Sequence, residues 1–241
     1  MDFLFESLKE AFILIVSLDR ELLGISWRSV WIALSSTTLA TLVGVPLAMV
    51  IAVRQFRGKQ SLLVILNTLM ALPTVVVGLL VYSFLCRRGV LGDLEFLYTP
   101  YAMIIGQWVL ATPLIMALAV SAVQGADERI GITARTLGAS RIQALLSIAG
   151  EVRTGIIAAV VAGFGRVFAE VGVSMMLGGN IKNYTRNITT AIAFETSRGE
   201  FALALALGII LLLCAFAINL IFQALSRLNW NPVAAPALRA R

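Results

Sequence analysis

Residues 132–153 read ITARTLGASRIQALLSIAGEVR, a polar stretch in a chain that is otherwise mostly apolar. Gly138 can take the left-handed conformation that ends a helix, and Ser140 followed by Gln143 has the S-x-x-Q spacing of a capping box. The stretch is therefore expected to form two short helices meeting at Leu137 to Ser140. With the residues from Gln124 onward it makes a polar island, and the sequence on either side of that island decides the class of protein.

Those flanks are of membrane grade. Of 241 residues, 59% are hydrophobic and 13% charged, far more apolar surface than a soluble domain of this length buries. Net charge of +6 suits contact with anionic lipid headgroups, so membrane lipid is an expected partner and nucleic acid is not. With no His, the commonest metal ligand and proton shuttle is missing, which excludes His-dependent metal sites and Ser-His-Asp catalysis. No catalytic residue, metal site or cofactor is expected in this chain. Cys86 and Cys214 are the two cysteines, one near the end of a span and one inside another, and are read as packing residues.

Uncharged runs locate the spans, since about 20 apolar residues cross the hydrocarbon layer. Arg28 to Arg54 encloses 25 uncharged residues, Lys59 to Arg87 27, Glu95 to Asp127 31 and Glu200 to Arg227 26. A fifth apolar segment carries Arg166 and Glu170 in its middle. The reading is an all-α integral membrane protein with about five transmembrane helices, at 29–53, 62–85, 101–122, 154–177 and 201–224. At the N-terminus Phe5, Leu8, Phe12 and Ile15 or Val16 follow helical spacing, which predicts an amphipathic interfacial helix. That helix and a linker are assigned to 1–26, a transmembrane domain to 27–226 with the island helices at 125–150, and a disordered tail to 227–241.

Loop charges do not orient the chain. Counting Lys and Arg near the spans gives eight on either side, so the positive-inside rule decides nothing. Inside the membrane, Arg166 and Glu170 stand at i and i+4, and intramembrane ionisable residues face a cavity or each other. Three roles fit: a mutual ion pair that packs the helix, a pathway lining in which Arg166 attracts an anion and Glu170 limits its affinity, or a link to a gate. Gly155, Ala158, Ala159, Ala162, Gly163 and Gly165 crowd the same helix at spacings that allow close approach, within one subunit or across a dimer axis. Pro46, Pro73 and Pro113 fall inside spans and favour kinks, with Pro73 the candidate for gating. The hydroxyls of Ser35, Ser36, Thr37, Thr38 and Thr41 are expected to bond their own backbone or a neighbouring helix. The loop Gly178, Gly179, Asn180 and onward carries amides and cations, and Gly-Gly-Asn could form an anion nest.

ARTLGASRIQALL followed by a span is similar to the EAA loop of type I ABC importer permeases, in which a helical turn docks on an ATPase subunit. RGKQSLLVILNTLMALPTVVVGLLVYSFL at 57–85 and GFGRVFAEVGVSMMLGGNIKNYTRNITTAIAFETSRGEFALALALG at 163–208 resemble the tungstate branch of the oxyanion importers. Ala134, Leu137, Gly138 and Ala139 match the family pattern, whereas Ile132 stands where a Glu is usual, and Ala149 and Gly150 stand where Leu-Pro is usual.

The resemblance implies a permease subunit of an ATP-driven importer that moves an oxyanion, tungstate or else molybdate, by alternating access. It implies a homodimer, two ATP-binding subunits that hold ATP and Mg²⁺, and a periplasmic substrate-binding protein. It places the chain in a bacterial or archaeal cytoplasmic membrane, with the N-terminus outside and the island and C-terminus cytoplasmic. Thr133, Ala134, Arg135, Leu137, Gly138, Ala139, Ser140 and Arg141 then carry ATPase coupling; Pro73, Arg166 and Glu170 line the pathway or gate; Gly178, Gly179 and Asn180 face the binding protein. The chain lacks a G-x-x-x-x-G-K-[ST] phosphate loop, so energy would enter through another subunit. A membrane anchor or sensor holding a soluble signalling partner on the island is the reading from a different class.

Overall fold

The computed structural model describes residues 2–17 and 19–228, and among these the regular structure is helical throughout apart from turns. Eleven α-helices follow one another: α1 (Asp2–Val16), α2 (Arg20–Val53), α3 (Lys59–Met70), α4 (Thr74–Leu85), α5 (Pro100–Gln124), α6 (Glu128–Thr136), α7 (Arg141–Glu151), α8 (Arg153–Phe168), α9 (Gly172–Gly178), α10 (Ile188–Arg198) and α11 (Phe201–Leu228). The tail expected to be disordered lies, from residue 229 on, outside the described residues.

Three helices are long and apolar enough to cross a membrane, within Arg20–Val53, Pro100–Gln124 and Phe201–Ala224. They correspond to the first, third and fifth expected spans. The first is longer than expected because Asp19 caps it, accepting from Glu21 N at 2.8 Å and Leu22 N at 3.2 Å, and because Leu22 and Ile25 are buried. Most of the stretch read as a linker before residue 27 is thus helix.

The other two expected spans are not continuous. In the second, α3 and α4 meet at Ala71 to Pro73 with a bend of 98°. Pro73 has no N–H to donate and stands at the N-cap of α4, so a single kinked rod becomes two nearly perpendicular halves. Twelve residues of helix reach only about 18 Å, short of the ~30 Å hydrocarbon thickness, so neither half crosses alone. The fourth span, expected at 154–177, is α8, a break at Ala169 to Val171, and α9. A second sharp bend, 73°, separates α7 from α8 and turns the chain from the island into that segment.

α5 sits at the centre and packs on α2, α3, α4, α8 and α9. Its contact with α8 resolves the question of the small residues. A Cβ added at Gly155 would come within 2.6 Å of Ala122 Cβ, and one at Gly163 within 2.5 Å of Ile115 Cγ1; Ala159 between them is buried. Gly155, Ala159 and Gly163 therefore serve packing within the chain. Ala158, Ala162, Gly165 and Ala169 lie on the other, exposed face, and Gly165 has no atom within 4 Å of a virtual Cβ.

α1 packs on α11 through Ala11, with Leu14 and Ile15 alongside. Phe5, Leu8, Phe12 and Val16 point away from the protein, as an interfacial helix with its apolar stripe toward lipid requires. Cys86 and Cys214 are free thiols.

Gly163→Val should lower the stability of the purified chain by about 1–3 kcal/mol through overpacking against Ile115, while Gly165→Val should leave it within about 0.5 kcal/mol. Thermal unfolding of both variants in detergent checks the contrast, and equal destabilisation would refute the assignment of faces.

Candidate functional site

The island is as rigid as its sequence suggests. Asp127 caps α6 by accepting from Arg129 N at 2.9 Å. α6 closes with paired bonds, Gly138 N to Arg135 O at 3.1 Å and Ala139 N to Ala134 O at 3.0 Å, around Gly138 at φ 90°. This is the Schellman arrangement, which needs a left-handed residue at that point. α7 then starts with the capping box: Ser140 N donates to Gln143 Oε1 at 2.8 Å, and Gln143 N donates to Ser140 Oγ at 3.3 Å. Gly131 lets α6 approach Ile148 of α7, which is buried together with Ala144. At the tip Leu137 is 82% exposed, and Ile142 and Leu146 on α7 are also bare.

The eight residues expected to couple to an ATPase divide between two faces. Thr133, Ala134, Leu137, Gly138 and Ala139 line a shallow, open concavity with Arg129 and Gln143. Arg135 and Arg141 turn the other way, into a deeper cavity against the ends of α2 and α5. Ser140 is spent on the cap.

The second constellation lies where α8 breaks. Arg166 Nη1 stands 3.7 Å from Glu170 Oε2, with the Arg166 side chain 40% exposed and that of Glu170 3%. The pair is not on one continuous helix, since α8 ends at Phe168. Glu170 Oε1 accepts from Val173 N at 3.1 Å and so caps the first turn of α9, and Glu170 O accepts from Thr189 Oγ1 at 2.8 Å. The two members of the pair thus do different things. Glu170 is a buried fastener of the break, and Arg166 is presented on the exposed small-residue face of α8 with its charge partly balanced.

The breaks of the second and fourth segments meet. A Cβ at Gly172 would lie 3.0 Å from Thr74 Oγ1, 3.3 Å from Glu170 Oε1 and 3.4 Å from Val75 Cγ2. A side chain there would press on all three. Pro73, distant in sequence, is therefore brought to the neighbourhood of Arg166 and Glu170 through Thr74 and Gly172. Behind it runs a buried chain: Ser36 Oγ donates to Gln107 Oε1 at 3.0 Å, and Gln107 Nε2 donates to Ser174 Oγ at 3.2 Å, tying α2, α5 and α9 together. Ser36 also bonds Ala33 O and Thr41 bonds Thr37 O, as expected for intrahelical hydroxyls.

Gln107, Ser174 and Thr189 do not stand out in the sequence pattern. Gln107 had a signal, an amide in the middle of an uncharged span. Thr189 belongs to an Asn-Ile-Thr that reads as a glycosylation sequon, yet Asn187 caps α10, accepting from Thr190 N at 2.9 Å.

The loop that begins at Gly178 is tightly held. A Cβ at Gly178 would meet Met103 Sδ at 2.6 Å, and one at Gly179 would meet Tyr98 Cδ1 at 2.9 Å. Gly179 N donates to Met175 O, so one amide of the Gly-Gly-Asn nest is already taken, and the amide that follows it, Ile181 N, donates to Thr185 Oγ1. Ile181, Lys182, Asn183 and Tyr184 form the exposed surface. Below them Arg186 is buried between Glu195 at 3.3 Å and Glu21 at 3.7 Å, Lys182 pairs with Glu21 at 2.8 Å, and Arg28 Nε donates to Arg186 O at 3.0 Å. This ionic brace fixes α10 and the loop to the N-terminal end of α2.

A bundle centred on α5, interrupted crossings and a capped helical turn between crossings define a membrane permease of the binding-protein-dependent kind. Residues 44–230 match the family described as binding-protein-dependent transport system inner membrane component, and the chain belongs to that family. It is 39% identical over 93% of its length to the tungstate uptake system permease protein TupB of Peptoclostridium acidaminophilum, of which 99% is covered. It is 36% identical to TupB of Campylobacter jejuni, covering 94% of this chain and 95% of that one. The molybdenum transport system permease protein ModB of Escherichia coli K12 is 31% identical, over 84% of this chain and 94% of that one. Among solved structures, a bacterial alginate ABC transporter bound to its pentasaccharide-loaded periplasmic protein superposes with a TM-score of 0.74 at 18% identity, covering 94% of this chain and 88% of that one. The inward-facing MetNI methionine ABC transporter gives 0.71 at 16% identity, over 86% and 95%.

Glu170→Ala removes the cap on α9 and leaves Arg166 without its carboxylate, so it should cost about 1–3 kcal/mol. Glu170→Gln keeps an acceptor for Val173 N and should cost less. Thermal midpoints of the two variants in detergent decide; a Gln variant as unstable as the Ala variant would make the charge, not the cap, the fastener.

Proposed function

We propose that the chain is the permease subunit of an ATP-driven importer that passes tungstate by alternating access. The observation that carries this is the rigid α6–α7 turn with bare Leu137 at its tip, in a chain whose nearly full-length similarity to TupB permeases runs across both the turn and the broken spans. Molybdate is the second reading, favoured by the similarity to ModB.

In this reading two copies face each other across the exposed stripe of α8, and each turn seats in an ATPase subunit that holds ATP and Mg²⁺. The turn and the C-terminus are cytoplasmic, the N-terminus is outside, and Ile181 to Tyr184 beside Gly178, Gly179 and Asn180 receive a loaded periplasmic binding protein. Thr133, Ala134, Leu137, Gly138 and Ala139 form the contact with the ATPase, Ser140 holds its shape, and Arg135 and Arg141 flank it. Arg166, on the open face of α8, attracts the oxyanion. Glu170 and Pro73 hold the paired breaks through which the two crossings rearrange. A pathway that must open needs local backbone freedom, and two helix breaks packed on each other through a glycine supply it.

Gly138→Asp should fold, because aspartate is among the residues that visit left-handed backbone at a cost of about 1 kcal/mol. It places a charge on an apolar tip and should abolish substrate-stimulated ATP hydrolysis in proteoliposomes containing the ATPase and the binding protein; wild-type stimulation sinks the coupling role. Arg166→Ala should reduce tungstate uptake by about 100-fold or more in the same vesicles without loss of assembly, if a charge facing the pathway contributes about 3 kcal/mol. Uptake at the wild-type rate would leave Arg166 a packing role. Parallel vesicles given molybdate and sulfate test the choice of ion, and a preference for either over tungstate would overturn it.

A further inference from the structure

The cavity on the inner side of the turn is distinct from the coupling tip. Its volume is about 1040 Å³, and it lies between the end of α2, the start of α3, the end of α5 and the face of α6–α7 opposite the Leu137 concavity. Among the residues whose side chains are described, four cations line it, Arg54, Lys59, Arg135 and Arg141, against one carboxylate, Asp127, whose Oδ1 is already accepting from Arg129 N. Lys59 gives one proton to Ala52 O at 2.7 Å. Among the residues whose side chains are described, Arg54, Arg135 and Arg141 have no carboxylate within ion-pairing distance. Four like charges from four separate segments face one space, an arrangement that raises the local concentration of an anion.

The wall between these cations is apolar. Val53 and Ile132 line the same space and are exposed, so an occupant would meet guanidinium groups and hydrocarbon together. α2 and α5, two of the helices long enough to cross the bilayer, end at the cavity with Val53 and Gln124, where hydrocarbon gives way to headgroups.

We propose that this cavity binds a tetrahedral oxyanion group, the phosphodiester of an anionic phospholipid in the adjoining leaflet. A free oxyanion has the same charge chemistry but gains nothing from Val53 and Ile132. The headgroup bridges the start of α3 to the turn and so links the membrane surface to the element that receives the ATPase. The proposal rests on the reading that α2 and α5 cross the membrane and end on the side of the turn.

The test measures lipid retained by the full-length chain, purified and reconstituted with phosphatidylglycerol or with phosphatidylcholine, using native mass spectrometry and vesicle co-flotation. The wild type should retain phosphatidylglycerol about tenfold over phosphatidylcholine, with retention falling as salt rises. Arg54→Gln with Lys59→Gln should remove most of that preference, and Arg54→Lys should keep it. Inorganic phosphate and tungstate, titrated calorimetrically into delipidated protein, form the other arm. Their binding with the same dependence on Arg54, and no lipid preference, assigns the site to a free anion and overturns the lipid source.

Equal phosphatidylglycerol retention in the wild type and the double variant overturns the site itself. If the double variant does not fold, wild-type retention that stays constant as salt rises overturns the site in its place. Displacement of the lipid when the ATPase subunit assembles would give the cavity to acidic side chains of that partner and also overturn the proposal. Lipid retention is read without transport, so its failure leaves the uptake result standing, and failed uptake leaves the lipid result standing.

Discussion

Where a helix stops inside hydrocarbon, the N–H and C=O groups it releases must find partners in the protein, and the architecture depends on how that is met at residues 168–173. Glu170 answers for both halves of the break: its carboxylate takes an N–H from the first turn of α9, and its carbonyl takes the hydroxyl of Thr189. The carboxylate is tolerable there because it is hydrogen-bonded and stands opposite Arg166. From this one junction the chain gains a short helix that fills the space between α4 and α5, with Val173 and Leu177 in their common core. It also gains a route to α10 through Thr189 and the cap at Asn187.

The two broken crossings support each other. The α3–α4 bend would leave Thr74 and Val75 against an empty space were Gly172 not set into it, and Gly78 one turn later gives way to Met176 in the same fashion. Ser36, Gln107 and Ser174 then hold the second break to the continuous helices α2 and α5. Continuous helices that hold the frame, with α5 at its centre, and interrupted ones packed against it are a workable division of labour for a protein that must keep its seal while part of it moves. The ionic brace around Arg186 ties α10 to the start of α2.

What could be read in the sequence was what is local. Gly138 and the Ser140–Gln143 pair act over three or four residues, so their spacing alone specified the turn, and the capping distances follow it. The three continuous helices were legible because uncharged length is enough to mark them. The breaks were not, since a hydropathy count does not distinguish a straight run from two halves at 98°. Pro73 pointed to a bend without giving its size, and Glu170 looked like the second member of an i, i+4 pair because nothing near it announced the end of α8. Which side of α8 packs inward depends on Ile115 and Ala122 of α5, some forty residues away, and no spacing within α8 could reveal that. The packing of the loop at 178–184 was hidden for a similar reason: nothing in its spacing shows that Met103 and Tyr98 crowd Gly178 and Gly179.

The turn at Gly138 is the reverse of those crowded glycines. No atom lies within 4 Å of where a side chain would begin, yet φ is 90°. Within this chain the position demands handedness and not room: a mirror-image alanine would suit that backbone, while an ordinary alanine, hardly larger than the glycine, would strain it. At Gly172 or Gly178 the backbone is ordinary and the added carbon itself would crowd a neighbour. The tip of the turn is thus held to glycine by chirality, and the interior of the bundle by volume.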